Sequence, residues 1–108
     1  MDRELIKEAA DEAGLPVCYA AWPPGGEPPM PYVAYRFSYS RSGAEGGIAY
    51  APVETWQVEL YSESKDQASE RLLEAALCSR GWAVEKREYQ HFDPYPYIQT
   101  IYIVTTVG

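Results

Sequence analysis

Histidine is nearly absent from this chain. His91 is the only one, and with Cys18 and Cys78 it makes three soft metal ligands, scattered without C-x-x-C or H-x-x-x-H spacing. A structural zinc site uses four such ligands, so no metal is expected. Two cysteines do not make a disulfide framework, and both read as free thiols packed in the interior of a cytosolic protein. Basic residues are also scarce: nine Lys and Arg against sixteen Asp and Glu give a net charge of −7, and the longest basic run is Lys86-Arg87. Such a field repels phosphate backbones and anionic lipid, which argues against nucleic-acid binding. The chain lacks an apolar run of membrane-spanning or signal-peptide length, so no membrane partner is expected.

The materials of catalysis are equally thin. No G-x-x-x-x-G-K-[ST] phosphate loop is present, and neither Gly25-Gly26 nor Gly43-Ala44-Glu45-Gly46-Gly47 opens a helix. Activated cysteine or serine nucleophiles need a base, and His91 lies in a Pro/Tyr-rich stretch far along the chain from either thiol. Glu54, Glu59 and Glu63 read as ordinary acids of a solvated strand face. The expectation is a protein that is not an enzyme and carries no cofactor.

What is present points to a folded body. Hydrophobic residues make up 46% and charged residues 23%, a balance that permits a packed core, and 108 residues suit one domain over 1–108. Ten tyrosines and three tryptophans stand against two phenylalanines. Polar-tipped rings of this kind suit half-buried surfaces and interfaces.

Periodicity supplies the elements. From Asp2 to Ala13, Leu5, Ile6, Ala9, Ala10 and Ala13 share one helical face, with Gly14 as the stop. Val17 to Trp22 reads as a short strand, followed by a Pro/Gly loop over 23–29. Tyr32 to Tyr39 and Val53 to Tyr61 alternate as strands, the first with Val33, Tyr35 and Phe37 on one side, the second with Trp56, Val58 and Leu60. Ser64 to Gln67 fits a capping box, after which Ala68, Leu72, Leu73, Ala76 and Leu77 mark a helix closed by Arg80-Gly81. Trp82 to Tyr89 and Ile98 to Thr106 finish the pattern as strands around a turn at 91–97. The order α-β-β-β-α-β-β predicts an α+β two-layer sandwich, a mainly antiparallel sheet of about five strands with two helices on one face. The long connection 40–52 predicts an extended hairpin loop, and Arg41, Glu45, Ile48 and Tyr50 in it are the candidate contacts to another subunit or partner.

Three segments, read in order, carry a likeness: Gly14-Leu15-Pro16-Val17-Cys18-Tyr19, then Pro28-Pro29-Met30-Pro31-Tyr32-Val33-Ala34-Tyr35, then Trp56-Gln57-Val58-Glu59-Leu60-Tyr61-Ser62-Glu63-Ser64-Lys65-Asp66. The chain resembles the small tail-completion, or tail-terminator, proteins of long-tailed phages and prophages. It departs from the family pattern at Gly43–Tyr50 and at His91–Tyr97. The resemblance implies a structural protein that forms a hexameric ring at the head-proximal end of the tail tube and joins it to the head connector. The implied partners are thus other copies of the chain, the major tail tube protein and the head connector protein. It implies a site of action in the bacterial cytoplasm during assembly and then in the neck of the virion. An acidic ring would let DNA slide past without sticking. The competing expectation is a small-ligand-binding or regulatory α+β module, since two-layer folds host many functions.

Overall fold

The computed structural model describes residues 3–41 and 53–107. Its elements are α1 (Arg3–Glu12), β1 (Val17–Tyr19), β2 (Tyr32–Arg41), β3 (Val53–Ser62), α2 (Gln67–Cys78), β4 (Ala83–His91) and β5 (Tyr97–Val107). The five strands form one sheet in the order β1-β2-β3-β5-β4. All neighbours are antiparallel except β1 and β2, which pair in parallel with Val17 beside Val33 and Tyr19 beside Tyr35. A parallel neighbour needs a long return connection, and the segment 20–31 provides it. The fold is therefore the α+β sandwich that the pattern of apolar residues predicts, with one parallel edge.

The core lies between the sheet and both helices. Val33 and Tyr35 of β2, Trp56, Val58 and Leu60 of β3, and Tyr102 and Val104 of β5 pack with Ile6, Ala9 and Ala10 of α1 and Leu73, Ala76 and Leu77 of α2. Alanines at these helix positions let the helix backbones approach closely. Arg80 closes the inter-helix seam, donating to Glu12 at 2.8 Å while its guanidinium lies 5.9 Å from the Trp82 ring centre.

Several details depart from the sequence reading. Asp66, not Ser64, caps α2: its Oδ1 accepts from the Ser69 N–H at 3.0 Å and its Oδ2 from the Ser69 hydroxyl at 2.8 Å. Carboxylates and hydroxyls cap equally well, so local sequence does not choose between them. The buried stripe of α2 is Ser69, Glu70, Leu73, Ala76 and Leu77, whereas Leu72 is 56% exposed and Ala68 is exposed. The stripe is rotated toward β4 because partners there make two polar residues buriable. Asp66 satisfies Ser69, and Glu70 accepts from Lys65 at 3.0 Å and pairs with Lys86 of β4.

On α1, Leu5 lies 40% exposed outside the stripe. β1 ends at Tyr19 because Ala20 takes a left-handed φ of 67°. Neither thiol belongs to the core: Cys18 is half-buried, its Sγ 3.3 Å from the Ala21 carbonyl, and Cys78 is exposed at the end of α2. Glu54 and Glu59, read from sequence as solvated, are 9% and 5% exposed.

Candidate functional site

Strand alternation sends every second side chain to the sheet face opposite the helices. At one end of that face four neighbouring strands each place an aromatic ring: Tyr32 on β2, Tyr61 on β3, Tyr97 on β5 and His91 on β4. The rings form a continuous row. Tyr32 stacks on Tyr61 with centroids 5.1 Å apart, Tyr61 meets Tyr97 at 6.1 Å, and Tyr97 stacks on His91 at 4.5 Å. Trp22 extends the row edge-on beyond Tyr32 at 6.0 Å, and Tyr95 flanks Tyr97 at 5.8 Å.

A polar network beside the rings fixes their positions. The Gln99 amide nitrogen donates to Glu59 Oε1 at 2.8 Å and to the Tyr61 hydroxyl at 3.2 Å, while its oxygen faces His91 Nε2 at 2.9 Å. A carboxylate only accepts, so the amide orientation follows from Glu59, and His91 must carry a proton on Nε2 to donate to the amide oxygen. Arg36 reinforces the same acid, 3.9 Å from Glu59, and donates to Gln57 at 2.9 Å. Burial, aided by the Glu59 charge and the neighbouring phenols, pushes the Tyr61 hydroxyl up to about 12. Burial likewise raises Tyr32, with Tyr95, Glu27 and Tyr97 adding to it. Both phenols are neutral at physiological pH.

Beside the Trp22, Tyr32 and Tyr61 part of the row lies a small open cavity of about 180 Å³. Ala20, Ala21, Trp22, Glu27, Tyr32, Ala34 and Tyr61 line it. The Trp22 indole N–H donates to the Val33 carbonyl at 3.3 Å, which pins the ring against the edge of β2. Ala20 stays in its left-handed conformation through a bond from its N–H to the Tyr35 carbonyl, followed by one from the Ala21 N–H to the Tyr19 carbonyl at 2.9 Å. A β-carbon in that region costs on the order of 1 kcal/mol, a strain commonly found beside binding sites.

One candidate drawn from sequence lies elsewhere. Arg41 ends β2, opposite Val53 and nine residues along the strand from Tyr32, whereas Glu45, Ile48 and Tyr50 fall outside the described residues. Whether Tyr50 shares a face with Trp56 falls outside them too. Sequence reasoning missed Glu59, Gln99 and the ring row; the tyrosine excess was its only trace. Among the described residues no group of three or more His, Cys, Asp or Glu side chains is arranged to hold a metal. No described helix is long and apolar enough to cross a membrane.

Fold and site together define a class: a two-layer α+β protein whose distinctive chemistry is an aromatic, hydrogen-bonded surface. Comparison with protein families and with curated proteins returns no match that would carry the identification further.

Proposed function

We propose that this chain is a structural tail-completion protein of a long-tailed phage or prophage, assembling head-to-tail into a ring between tail tube and head connector. Alongside the sequence resemblance, one observation carries the reading: large apolar side chains are exposed on both lateral sides of the sheet, and the two sets differ. Tyr19 and Phe37, 37% and 40% exposed, lie on the β1–β2 side. Tyr89 of β4 and Phe92 of the β4–β5 turn, 45% and 73% exposed, lie on the β4–β5 side. Two unlike patches on opposite sides of one body suit a heterologous contact, which repeats from copy to copy and closes into a ring when the rotation allows. A single self-complementary patch would instead suit a two-fold dimer.

Light scattering across a concentration series, with and without tail tube protein, is the direct test. Phe92→Ser should prevent assembly while the monomer keeps its melting temperature, because that ring is 73% exposed; Phe37→Ser should also prevent assembly, with a modest drop in melting temperature because its ring packs at 5.2 Å against buried Trp56. A chain that stays monomeric in every condition sinks the reading. The connection 43–50 supplies a second test, since replacing it with Asn-Gly should spare the fold and abolish tail completion in a complementation assay.

A second reading, a small-ligand or regulatory module, draws on a cleft of about 430 Å³ lined by Met30, Pro31 and residues 62–68. That volume is within the usual range for metabolite sites. A melting temperature that rises with a small metabolite, together with a persistent monomer, would favour it.

A further inference from the structure

We propose that the cavity beside Trp22 is a receptor for the guanidinium of an arginine on a partner protein, held among the Trp22, Tyr32 and Tyr61 rings and paired with Glu27. This rests on the assembly reading for the source of the arginine, and on the cavity's own chemistry for the ligand.

Size decides first. About 180 Å³ is below the roughly 300–1,000 Å³ of sites that take whole metabolites, and it suits the head of one side chain. Wall chemistry decides next. Trp22 and Tyr32 meet edge to face at an interplanar angle of 74°, Tyr61 stacks on Tyr32, and all three rings line the cavity. The negative faces of such rings attract cations, and a flat guanidinium stacks on them better than a hydrated ammonium does.

Charge agrees. The sole ionised side chain in the lining is Glu27, no basic residue contributes to it, and the chain carries a net −7. Burial is the main cause that raises Tyr32 and Tyr61, and the Glu27 carboxylate adds to it at Tyr32 as Glu59 does at Tyr61, with Arg36 opposing at Tyr61. Where the described residues place cations of this chain over rings, they do so elsewhere: Arg80 over Trp82 and Lys86 over Tyr102.

The cavity is also built before any ligand arrives. The indole bond to Val33 fixes Trp22, the Gln99–Tyr61–Glu59 network holds the row behind it, and strained Ala20 shapes the wall. Preorganisation of this kind lowers the ordering cost of binding.

The test uses the full chain at a concentration where it is monomeric, so failure of ring formation and failure of the arginine site are read separately. The Trp22 indole N–H resonance, assigned by its loss in Trp22→Phe, is followed during titration with Nα-acetyl-arginine amide and with the citrulline analogue, which has nearly the same shape and no charge. The expected result is saturable binding of the arginine compound with a dissociation constant on the order of 1 mM, and citrulline weaker by about tenfold. Glu27→Gln should weaken arginine about fivefold and leave citrulline unchanged. Tyr32→Leu should erase the preference for arginine; its melting temperature, read in parallel, confirms a folded protein. Equal binding of the two compounds, or no saturable shift with arginine, overturns the proposal. In the assembly assay, Glu27→Gln should reduce partner capture in step with its loss of arginine affinity. Undiminished capture would remove the partner's arginine from the contact.

Discussion

Leu72 and Leu73 are adjacent in sequence and should respond to truncation very differently. Leu73 is fully buried among Ile6, Val58, Leu77 and the other core side chains, whereas Leu72 is 56% exposed. Leu73→Ala removes buried methyl groups and leaves a cavity that the closely packed helices and sheet can fill only in part, at a cost of about 3 kcal/mol. Leu72→Ala loses a little surface contact and gains helix propensity, for a net change within about 0.5 kcal/mol of zero. An unfolding entropy near 2.1 cal/mol/K per residue over 108 residues converts the first figure to a drop of about 13 °C in melting temperature, and the second to about 2 °C or less. Scanning calorimetry of both variants beside the parent, with urea titration to confirm an unchanged m-value, gives the comparison. Equal destabilisation by the two substitutions would show that α2 presents a different face to the sheet, and would refute the packing described above.

Burial pulls the Glu70 carboxyl upward, but hydrogen bonds and charge from Lys86 and Lys65 outweigh it and hold the group below its ordinary value of 4.5. A depressed carboxyl stabilises the fold above its unfolded pKa and loses that contribution as pH falls through the folded one. Glu70→Gln should therefore cost about 1–2 kcal/mol at pH 7 by urea titration, with the gap from the parent closing below about pH 4. A gap constant down to pH 2.5, about two units below the ordinary carboxyl value, would contradict this. Ala20→Gly relieves a left-handed alanine and should leave stability unchanged or raise it by up to about 1 kcal/mol, despite the added backbone freedom of glycine. Ala20→Val should destabilise clearly, and equal melting temperatures for the two variants would show that the backbone there has relaxed.

Period-two alternation from Tyr32 and from Val53, and the i, i+3, i+4 spacing of Ile6, Ala9, Ala10 and Ala13, determined the element order and the α+β class. These patterns are legible because each element must bury one face whatever its partner is. The sequence also carried the tyrosine excess, but without the place where the rings would meet. Strand order came only from the tertiary structure: β5 enters between β3 and β4, and this sets Gln99 of β5 next to Tyr61 of β3. Glu59 looked like a solvated acid because burying a carboxylate depends on partners supplied by other strands, here Arg36 and Gln99. The rotation of α2 was hidden for the same reason. Glu70 can turn inward only because Lys86, on a strand sixteen residues later, comes to meet it. Local sequence sets which surfaces need to be covered, whereas pairing across the chain decides which polar groups can be buried and which rings stand side by side.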